Sequence, residues 1–478
     1  MPDNNTEYDI AVIGAGPGGY VSALYGALKG ARIAIIEKDK RLGGTCLLRG
    51  CIPSKAMVKT AELMLQMRHP DKYGLSLNGS VGIDWERTVA RKDKVVDGLT
   101  NGLNGLMKAR KVDVITGHGT IINPNTVMVD GREVRTRHII IATGSGTMLP
   151  TDVPGGSLPG VITSDEILDA DLTMKALPAM PESVIIVGGG IVGMEFASIF
   201  NAYGCKVTVV VSSPRVLRLV DEEIARRFTT IAKNQGIEIV TRTDVVQIAE
   251  GEGGKGLKVT IKNADSGAEE VRPVSHLIYA KGRYPYTNNL GLESIGLETK
   301  RGSIIVDERM MTSVEGVYAI GDVVPGPMLA HVASWEGEIA VDNITGHYRA
   351  ADYGAVPDVI FTIPEIASVG MQESEAKERG IPVKVTKFPF AALGRAQAIG
   401  EPDGLVKMVC DPGSGVILGM QIMGAHASDV IAECTLAVQQ GITAEELAHT
   451  IHAHPTMPEA VQETAFAQIL GSPVHANR

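Results

Sequence analysis

A short apolar run, then Gly-x-Gly-x-x-Gly, then a helical stretch and a second apolar run: this order occurs twice and constrains the fold more than any other feature. The first copy runs Tyr8-Asp9-Ile10-Ala11-Val12-Ile13, then Gly14-Ala15-Gly16-Pro17-Gly18-Gly19, a helix predicted over Tyr20 to Gly30, and a strand from Arg32 to Ile36 that ends at Glu37. The three glycines differ in what they do: Gly14 makes the tight turn, Gly16 lets backbone approach a pyrophosphate, and Gly19 lets helix and strand pack closely. The helix N-terminus then faces the phosphates, and Glu37 can accept hydrogen bonds from a ribose. The second copy is Ser183 to Val187, Gly188-Gly189-Gly190-Ile191-Val192-Gly193, a helix from Met194 to Tyr203 and a strand from Lys206 to Val211. Gly188, Gly190 and Gly193 repeat the pattern, but Val211 stands where the ribose-binding carboxylate should be, followed by Ser212, Arg215 and Arg218. Without the acid an unmodified 2′-hydroxyl loses its usual partner, and the arginines can accommodate a 2′-phosphate. Equally, both arginines can be solvated while Ser212 alone meets the ribose.

Two of the five cysteines lie in Gly43-Gly44-Thr45-Cys46-Leu47-Leu48-Arg49-Gly50-Cys51-Ile52-Pro53-Ser54-Lys55. A regular helix separates positions i and i+5 by roughly 8 to 9 Å at Cα, whereas a disulfide needs about 4.4 to 6.8 Å. A bridge here therefore requires bent backbone. Gly50 supplies local freedom and Pro53 suits the first turn of a helix, so a tight turn is predicted to end near Cys51, with a helix through Ser54 and Lys55 to Met67. Cys51 then sits at a helix N-terminus, where a thiolate is stabilised, with Lys55 one turn on. The alternatives are a metal ligand pair or two small core residues; no second Cys/His pair at matching spacing follows.

At 478 residues the chain is too long for one core. The 55 glycines beside 7 phenylalanines and 2 tryptophans suit a turn-rich α/β protein. No apolar run reaches the roughly 18 residues of a membrane span, and the N-terminus is polar and acidic, so a cytoplasmic protein is expected. A disulfide in a reducing cytosol is more often catalytic than structural. A net charge of −10 argues against nucleic acid as a partner. Helices are predicted over Trp85 to Ala109 and Leu329 to Thr345. Strands are predicted over Val112 to Thr116, Thr136 to Ser145 and Gly316 to Ile320, the last ending at Gly321-Asp322. Proline and glycine crowd Pro150 to Gly160, a domain crossing. From Val356 the pattern becomes alternating strands, Lys384 to Phe388, Leu405 to Val409 and Gly415 to Met423, with helices Ser428 to Gln440 and Ala444 to Ile451 and no phosphate loop. An oligomerisation unit is expected there. Finally, His452-Ala453-His454-Pro455-Thr456-Met457-Pro458-Glu459 pairs a histidine suited to accept a thiol proton with a carboxylate able to set its tautomer. The same spacing, Thr456-x-x-Glu459, is a helix capping box, and geometry alone favours the cap.

The ordered set of these motifs, with Ala142-Thr143-Gly144, Tyr318-Ala319-Ile320-Gly321-Asp322 and Met328-Leu329-Ala330-His331, resembles the flavin disulfide reductases over nearly the whole chain, and among them the dihydrolipoamide dehydrogenase branch. The resemblance implies an α/β protein with two Rossmann-like dinucleotide-binding domains plus an α+β C-terminal dimerisation domain. The expected units are residues 1–150 for FAD and the redox disulfide, 151–282 for NAD(P), 283–352 as a central domain completing the FAD site, and 353–478 as the interface of a homodimer. It implies Cys51 as the thiolate contacting flavin, Cys46 as the one exchanging with substrate, Lys55 paired with Glu195 beside the flavin, and His454 with Glu459 as an acid/base pair reaching the partner subunit's disulfide. FAD is expected to meet Gly14, Gly16, Gly19, Glu37, Gly44, Thr45, Lys55, Gly119, Thr143, Gly144, Asp322, Met328, Leu329, Ala330 and His331. The nicotinamide dinucleotide is expected at Gly188, Gly190, Gly193, Val211, Ser212, Arg218 and Gly282, with NAD the acceptor and NADP open through Val211. No metal site is expected. The implied partner is a lipoyl-bearing protein of a 2-oxo-acid dehydrogenase, glycine cleavage or related complex. Leu48 and Tyr286 depart from the asparagines common in the family. A second reading is an NADPH-dependent disulfide or metal-ion reductase of the same family, although the chain ends Ser472-Pro473-Val474-His475-Ala476-Asn477-Arg478, without the cysteine pair usual in mercuric reductases. A third is a non-catalytic flavin-binding subunit.

Overall fold

The computed structural model describes residues 7–476. Glu7–Ile13, Ile33–Glu37, Asp113–Thr116 and Arg132–Ile141 form a parallel sheet in the spatial order 113–116, 33–37, 7–13, 132–141. Their apolar runs carry little alternation because both faces are covered. Ile10, Val12, Ile35, Ile139 and Ile140 are all 0% exposed, each contributing about 1.5–3 kcal/mol by leaving water. The antiparallel strands Gly119–Asn123 and Thr126–Val129 extend this sheet on one side. The late strand Val317–Ala319 returns to pair with Arg132–Ile141 at Ile139 to Ile141. The segment ending at Asp322 is thereby delivered to the same sheet edge as Gly14 and Thr143.

The second sheet repeats the first in miniature, with Glu238–Val240, Lys206–Val210, Ser183–Val187, His276–Tyr279 and Val161–Ile162 all parallel in that spatial order. A three-stranded antiparallel meander, Thr243–Glu250, Leu257–Asn263 and Glu269–Val274, is inserted before its last long strand. The crossings between the two units meet as a ribbon, Ser145–Thr147 against Arg283–Pro285. The C-terminal sheet is antiparallel, in the order Asp358–Ile360, Ile366–Gly370, Ile417–Met423, Leu405–Cys410 and Lys384–Pro389, with helices Ala427–Gln440, Ala444–His449 and Glu459–Leu470 packed on it.

Two helices matter for the site. Pro17–Leu28 follows the first glycine loop, and Ala330–Ile344 follows Asp322. They run side by side in the same direction: the Ser334 hydroxyl reaches the Pro17 carbonyl at 3.4 Å, a Cβ on Gly337 would fall 2.3 Å from Ser22 Oγ, and one on Gly26 would fall 3.6 Å from Val341. Glycine at Gly18, Gly26 and Gly337 permits this approach, so two positive helix ends open at one place. Among the described residues no helix is long and apolar enough to cross a membrane, and no cluster of three or more His, Cys, Asp or Glu could hold a metal ion.

Candidate active site

The cysteine stretch folds as two helices broken at one residue. Gly44–Arg49 carries Cys46, Gly50 breaks the run at φ −140°, ψ −110°, and Cys51 is the first residue of the long helix Cys51–Arg68. The expected bend is present, and the helix opens at Cys51 itself, three residues before Ser54. Gly50 is required by space, because a Cβ there would lie 2.9 Å from the Thr45 carbonyl oxygen and 3.3 Å from Cys46 Cα. The bend brings Cys46 and Cys51, both half-buried free thiols, into hydrogen-bond contact. The two sulfurs are electrostatically unlike. Cys46 is pushed up by its interaction with Cys51 and by burial. Cys51, by the same contact and with Lys55 adding its charge against the effect of burial, is brought down to about 7. The thiolate thus resides on the cysteine at the helix N-terminus.

Lys55 Nζ reaches across 140 residues to both oxygens of Glu195, at 3.0 and 2.9 Å. Glu195 lies in the helix Ile191–Ala202 that follows the second glycine loop, so the ion pair bolts the second unit to the cysteine helix. Phe361, which nothing in the sequence marks, completes the pair: its N–H donates to Glu195 at 2.9 Å and its ring lies 4.6 Å from Lys55 Nζ. Arg283 is a second such residue. Its guanidinium donates to the Thr147 hydroxyl at 2.9 Å, the Ser145 hydroxyl and carbonyl at 2.7 and 2.8 Å, and the Thr45 hydroxyl at 3.3 Å, while Ser145 in turn donates to Asp322. A third is Glu336, a buried carboxylate raised by burial, which accepts from Gly321 N–H at 2.6 Å and Tyr353 at 2.7 Å and fixes the turn that presents Asp322.

The glycine loops can be tested for room. A Cβ on Gly14 would fall 2.4 Å from the Ala142 carbonyl oxygen, and one on Gly19 would fall 1.8 Å from the Gly14 carbonyl oxygen. On Gly16 a Cβ would meet only Gly44 Cα, at 3.9 Å, so the middle glycine faces open space. Gly188 and Gly193 repeat the two collisions at 2.3 Å and 2.0 Å, and Gly190 again meets nothing within 4 Å. Gly44, at φ +57°, closes tightly over Gly16. Each loop is thus a cradle that a side chain would fill, beside a helix N-terminus. Glu37 ends its strand with Oε2 accepting Ala15 N–H at 2.7 Å and Oε1 accepting Asp39 N–H at 2.9 Å, which leaves lone pairs for a ribose hydroxyl. The residues present fit an FAD along the first unit.

Around that site Thr143 donates to the Tyr286 carbonyl at 2.7 Å, Gly144 turns at φ +68°, and Leu329 precedes the helix beginning at Ala330. Met328 is exposed, and His331 Nε2 lies 2.8 Å from the Pro357 carbonyl oxygen. Gly119 is buried against Ile13 and Ile36 at the ends of their strands. Leu48 is buried, and Tyr286 carries Lys38 Nζ 3.8 Å above its ring.

In the second unit Val211 is 4% exposed, and a Cβ on Gly189 would lie 2.5 Å from its Cγ1. Arg215 is withdrawn from any ligand: its guanidinium binds the carbonyls of Leu217, Arg218 and Val220 at 2.8 to 3.2 Å. That removes it from the residues able to meet a 2′-phosphate, and leaves exposed Ser212 and Arg218. Gly282, at φ +144°, accepts Met148 N–H at 3.1 Å on its carbonyl beside the ribbon.

His454 Nδ1 lies 2.8 Å from Glu459 Oε1, and Glu459 Oε2 accepts Thr456 N–H at 2.7 Å. The capping box is only half made: Glu459 accepts Thr456 N–H, but the helix Glu459–Leu470 opens at Glu459 with Pro458 before it, and no side chain caps it. The expectation that favoured a full cap is corrected, because the helix starts too late for Thr456 to stand at its N-cap; the Thr456 hydroxyl donates to the Ala453 carbonyl at 2.7 Å instead. Among the described residues no hydrogen bond or ion pair joins this pair to the cysteines of the same chain, and the His454 side chain is 78% exposed.

Residues 8–337 match the family described as pyridine nucleotide-disulphide oxidoreductase, and residues 356–465 match its dimerisation domain. The chain is 39% identical to the mitochondrial dihydrolipoyl dehydrogenase of Pisum sativum over 98% of this chain and 93% of the relative. It is 41% identical to the dihydrolipoyl dehydrogenase of Geobacillus stearothermophilus over 98% and 97%. The flavoprotein disulfide reductase RclA from Escherichia coli, solved as a Cu(II) complex, superposes with a TM-score of 0.84 at 29% identity, over 96% of this chain and 99% of that one. With its paired thiols, its two glycine cradles and these matches along its length, the chain belongs to the pyridine nucleotide-disulphide oxidoreductase family.

Proposed function

We propose that the protein is a dihydrolipoyl dehydrogenase, a flavoprotein that oxidises dihydrolipoamide carried on a protein to lipoamide, with NAD as electron acceptor. The observation that carries the reading is the setting of the two cysteines: Gly50 folds Cys46 back toward Cys51, Cys51 opens the helix Cys51–Arg68, and Lys55, paired with Glu195, stands one turn on. In the oxidised enzyme the two are joined, and one thiol of the substrate attacks Cys46 after giving its proton to His454. The bond between Cys46 and Cys51 breaks, and Cys51 leaves as the stabilised thiolate. The second substrate thiol then attacks the mixed disulfide, closing the lipoyl disulfide and releasing Cys46, which takes up that thiol's proton, so that the two electrons rest on the Cys46 thiol and the Cys51 thiolate. Exchange favours an attacking thiol ionised near ambient pH, which is what the histidine base provides. FAD, when bound, supplies the two-electron path between this dithiol and the nicotinamide.

Gly14, Gly16, Gly19, Glu37, Gly44, Thr45, Gly119, Thr143, Gly144, Asp322 and the 328–331 segment would hold FAD, with Lys55 and Glu195 at its reactive end. Gly188, Gly190, Gly193, Val211, Ser212, Arg218 and Gly282 would hold the nicotinamide dinucleotide. Val211 leaves the 2′-position without an acid, so NADP competes more closely with NAD than it would against a carboxylate. The lengths 1–150, 151–282, 283–352 and 353–478 serve as FAD, NAD(P), central and interface units. His454, exposed in one chain, and its partner Glu459 belong to the disulfide of the second subunit of a homodimer. A lipoyl-bearing protein of a 2-oxo-acid dehydrogenase, glycine cleavage or related complex delivers the substrate. A reducing, cytoplasmic setting suits thiols that must cycle.

The test is turnover of free dihydrolipoamide with NAD and with NADP. Cys46→Ser is expected to lose oxidation altogether, and Cys51→Ser to lose in addition the thiolate-to-flavin absorption of the reduced enzyme. Full activity in the Cys46 variant, or that band persisting without Cys51, overturns the assignment.

A further inference from the structure

Two residues before His454, His452 has its side chain 5% exposed. Its Nε2 lies 2.8 Å from Glu433 Oε1, and its Nδ1 lies 2.9 Å from the Thr450 carbonyl oxygen. Carbonyl and carboxylate oxygens are both acceptors, and a neutral imidazole has one N–H to give. The ring that satisfies both is the imidazolium. Two elements grip it: helix Ala427–Gln440 brings Glu433, and the turn after Ala444–His449 brings Thr450. Gln462 Nε2 binds the same Thr450 carbonyl at 2.9 Å, which ties the anchor of His452 to the helix that begins with Glu459.

We propose that His452 is a positioning residue for the acid/base pair: clamped as a cation by Glu433 and the Thr450 carbonyl, it holds the turn that carries His454 so that Glu459 accepts His454 Nδ1–H. The inference rests on the acid/base role given above to His454 and Glu459. The electrostatics run the same way. Burial pushes Glu459 up, yet the hydrogen bonds from His454 and Thr456 and the charges of His454 and His452 together bring it below the usual carboxylate range. Glu433's hydrogen bond raises His452 against burial, and the Thr450 carbonyl and the charges of Glu433 and Glu459 add to it. Among the described residues, His475 also lies within the field of Glu459; it pairs with Glu463 at 2.6 Å and is raised chiefly by that bond, with Glu459 adding.

A depressed carboxylate is ionised above its own pKa and loses its charge as pH falls through it. Removing the His452 cation removes one influence holding Glu459 down, so Glu459 takes up its proton at higher pH. In the full-length flavin-loaded enzyme, His452→Gln is expected to move the acid limb of kcat/KM for dihydrolipoamide upward by about 0.5 to 1 pH unit. Glu433→Gln, which keeps a hydrogen-bond partner while discharging the clamp, is expected to move it the same way by less. Flavin absorbance and thermal unfolding, read in parallel, report folding; if His452→Gln sheds its flavin, the Glu433→Gln profile decides. Acid limbs that superpose on wild type, with the rate unchanged or lowered equally at every pH, overturn the inference. His454→Gln is run beside them: if it is inactive while the His452 profile is unmoved, only this inference fails, and if it turns over normally the acid/base reading itself fails.

Discussion

The two glycine loops are built alike and finished differently. In both, the first and third glycines are demanded by the protein's own backbone, since a Cβ there would fall 1.8 to 2.4 Å from a carbonyl oxygen, while the middle glycine faces open space. At the end of the following strand the copies part. Glu37 sends its carboxylate back to Ala15 N–H, whereas Val211 lays a methyl group over the equivalent Gly189. Packing therefore fixes the cradle, and the two copies differ in the side chain beside it, a carboxylate in the first and an isopropyl group in the second.

Substitution can break both the likeness of the loops and their difference. The largest effect is expected for Gly14→Ala and Gly188→Ala, which combine positive φ with a backbone collision and should each cost about 3–5 kcal/mol. Thermal unfolding should fall in both, with flavin lost from the first, while the second keeps flavin and loses nicotinamide binding; wild-type stability in either removes the claim that packing demands these glycines. Next comes Glu37→Gln, where exchanging a charged acceptor for a neutral one should weaken FAD by about 1.5–3 kcal/mol, read as flavin retention on dilution. Smaller again are Gly16→Ala and Gly190→Ala. Their stability should change by about 1 kcal/mol or less, since both residues have extended backbone that alanine adopts. Ligand affinity should drop about tenfold, or 1.4 kcal/mol, measured by titrating flavin or NADH; a fall in stability without a fall in affinity would make these glycines structural too. The smallest is Val211→Glu, expected to raise the NAD over NADP ratio of kcat/KM about fivefold, or roughly 1 kcal/mol. An unchanged ratio would move specificity elsewhere on the loop, to Ser212 or Arg218.

Much of the site could be read locally because its signals are local. The helix predicted over Trp85 to Ala109 is the one observed, opened by an Asp84 side chain that accepts Arg87 N–H, and the strand-to-glycine junctions fall where steric need puts them. The antiparallel meander of residues 243–274 has no counterpart among the sequence expectations, since its strands are half polar and carry no motif. Arg283, Phe361 and Glu336 were equally invisible. Arg283 meets Thr45 across 238 positions and Phe361 meets Glu195 across 166, and no short window records such a meeting. The local signal was half right at Thr456-x-x-Glu459, where Glu459 accepts Thr456 N–H but the helix opens at Glu459, too late for Thr456 to cap it.

By itself the sequence determined where backbone can tolerate no Cβ, where a thiol pair can close, and where an acid is missing, because these depend on residue type and spacing within a few turns of chain. Only the tertiary structure decided that Phe361 braces the Lys55–Glu195 pair, that Arg215 is consumed by its own loop, and that His452 is gripped on both nitrogens. Each of these depends on burial and on partners brought from other elements, and such energies exist only once those elements have packed.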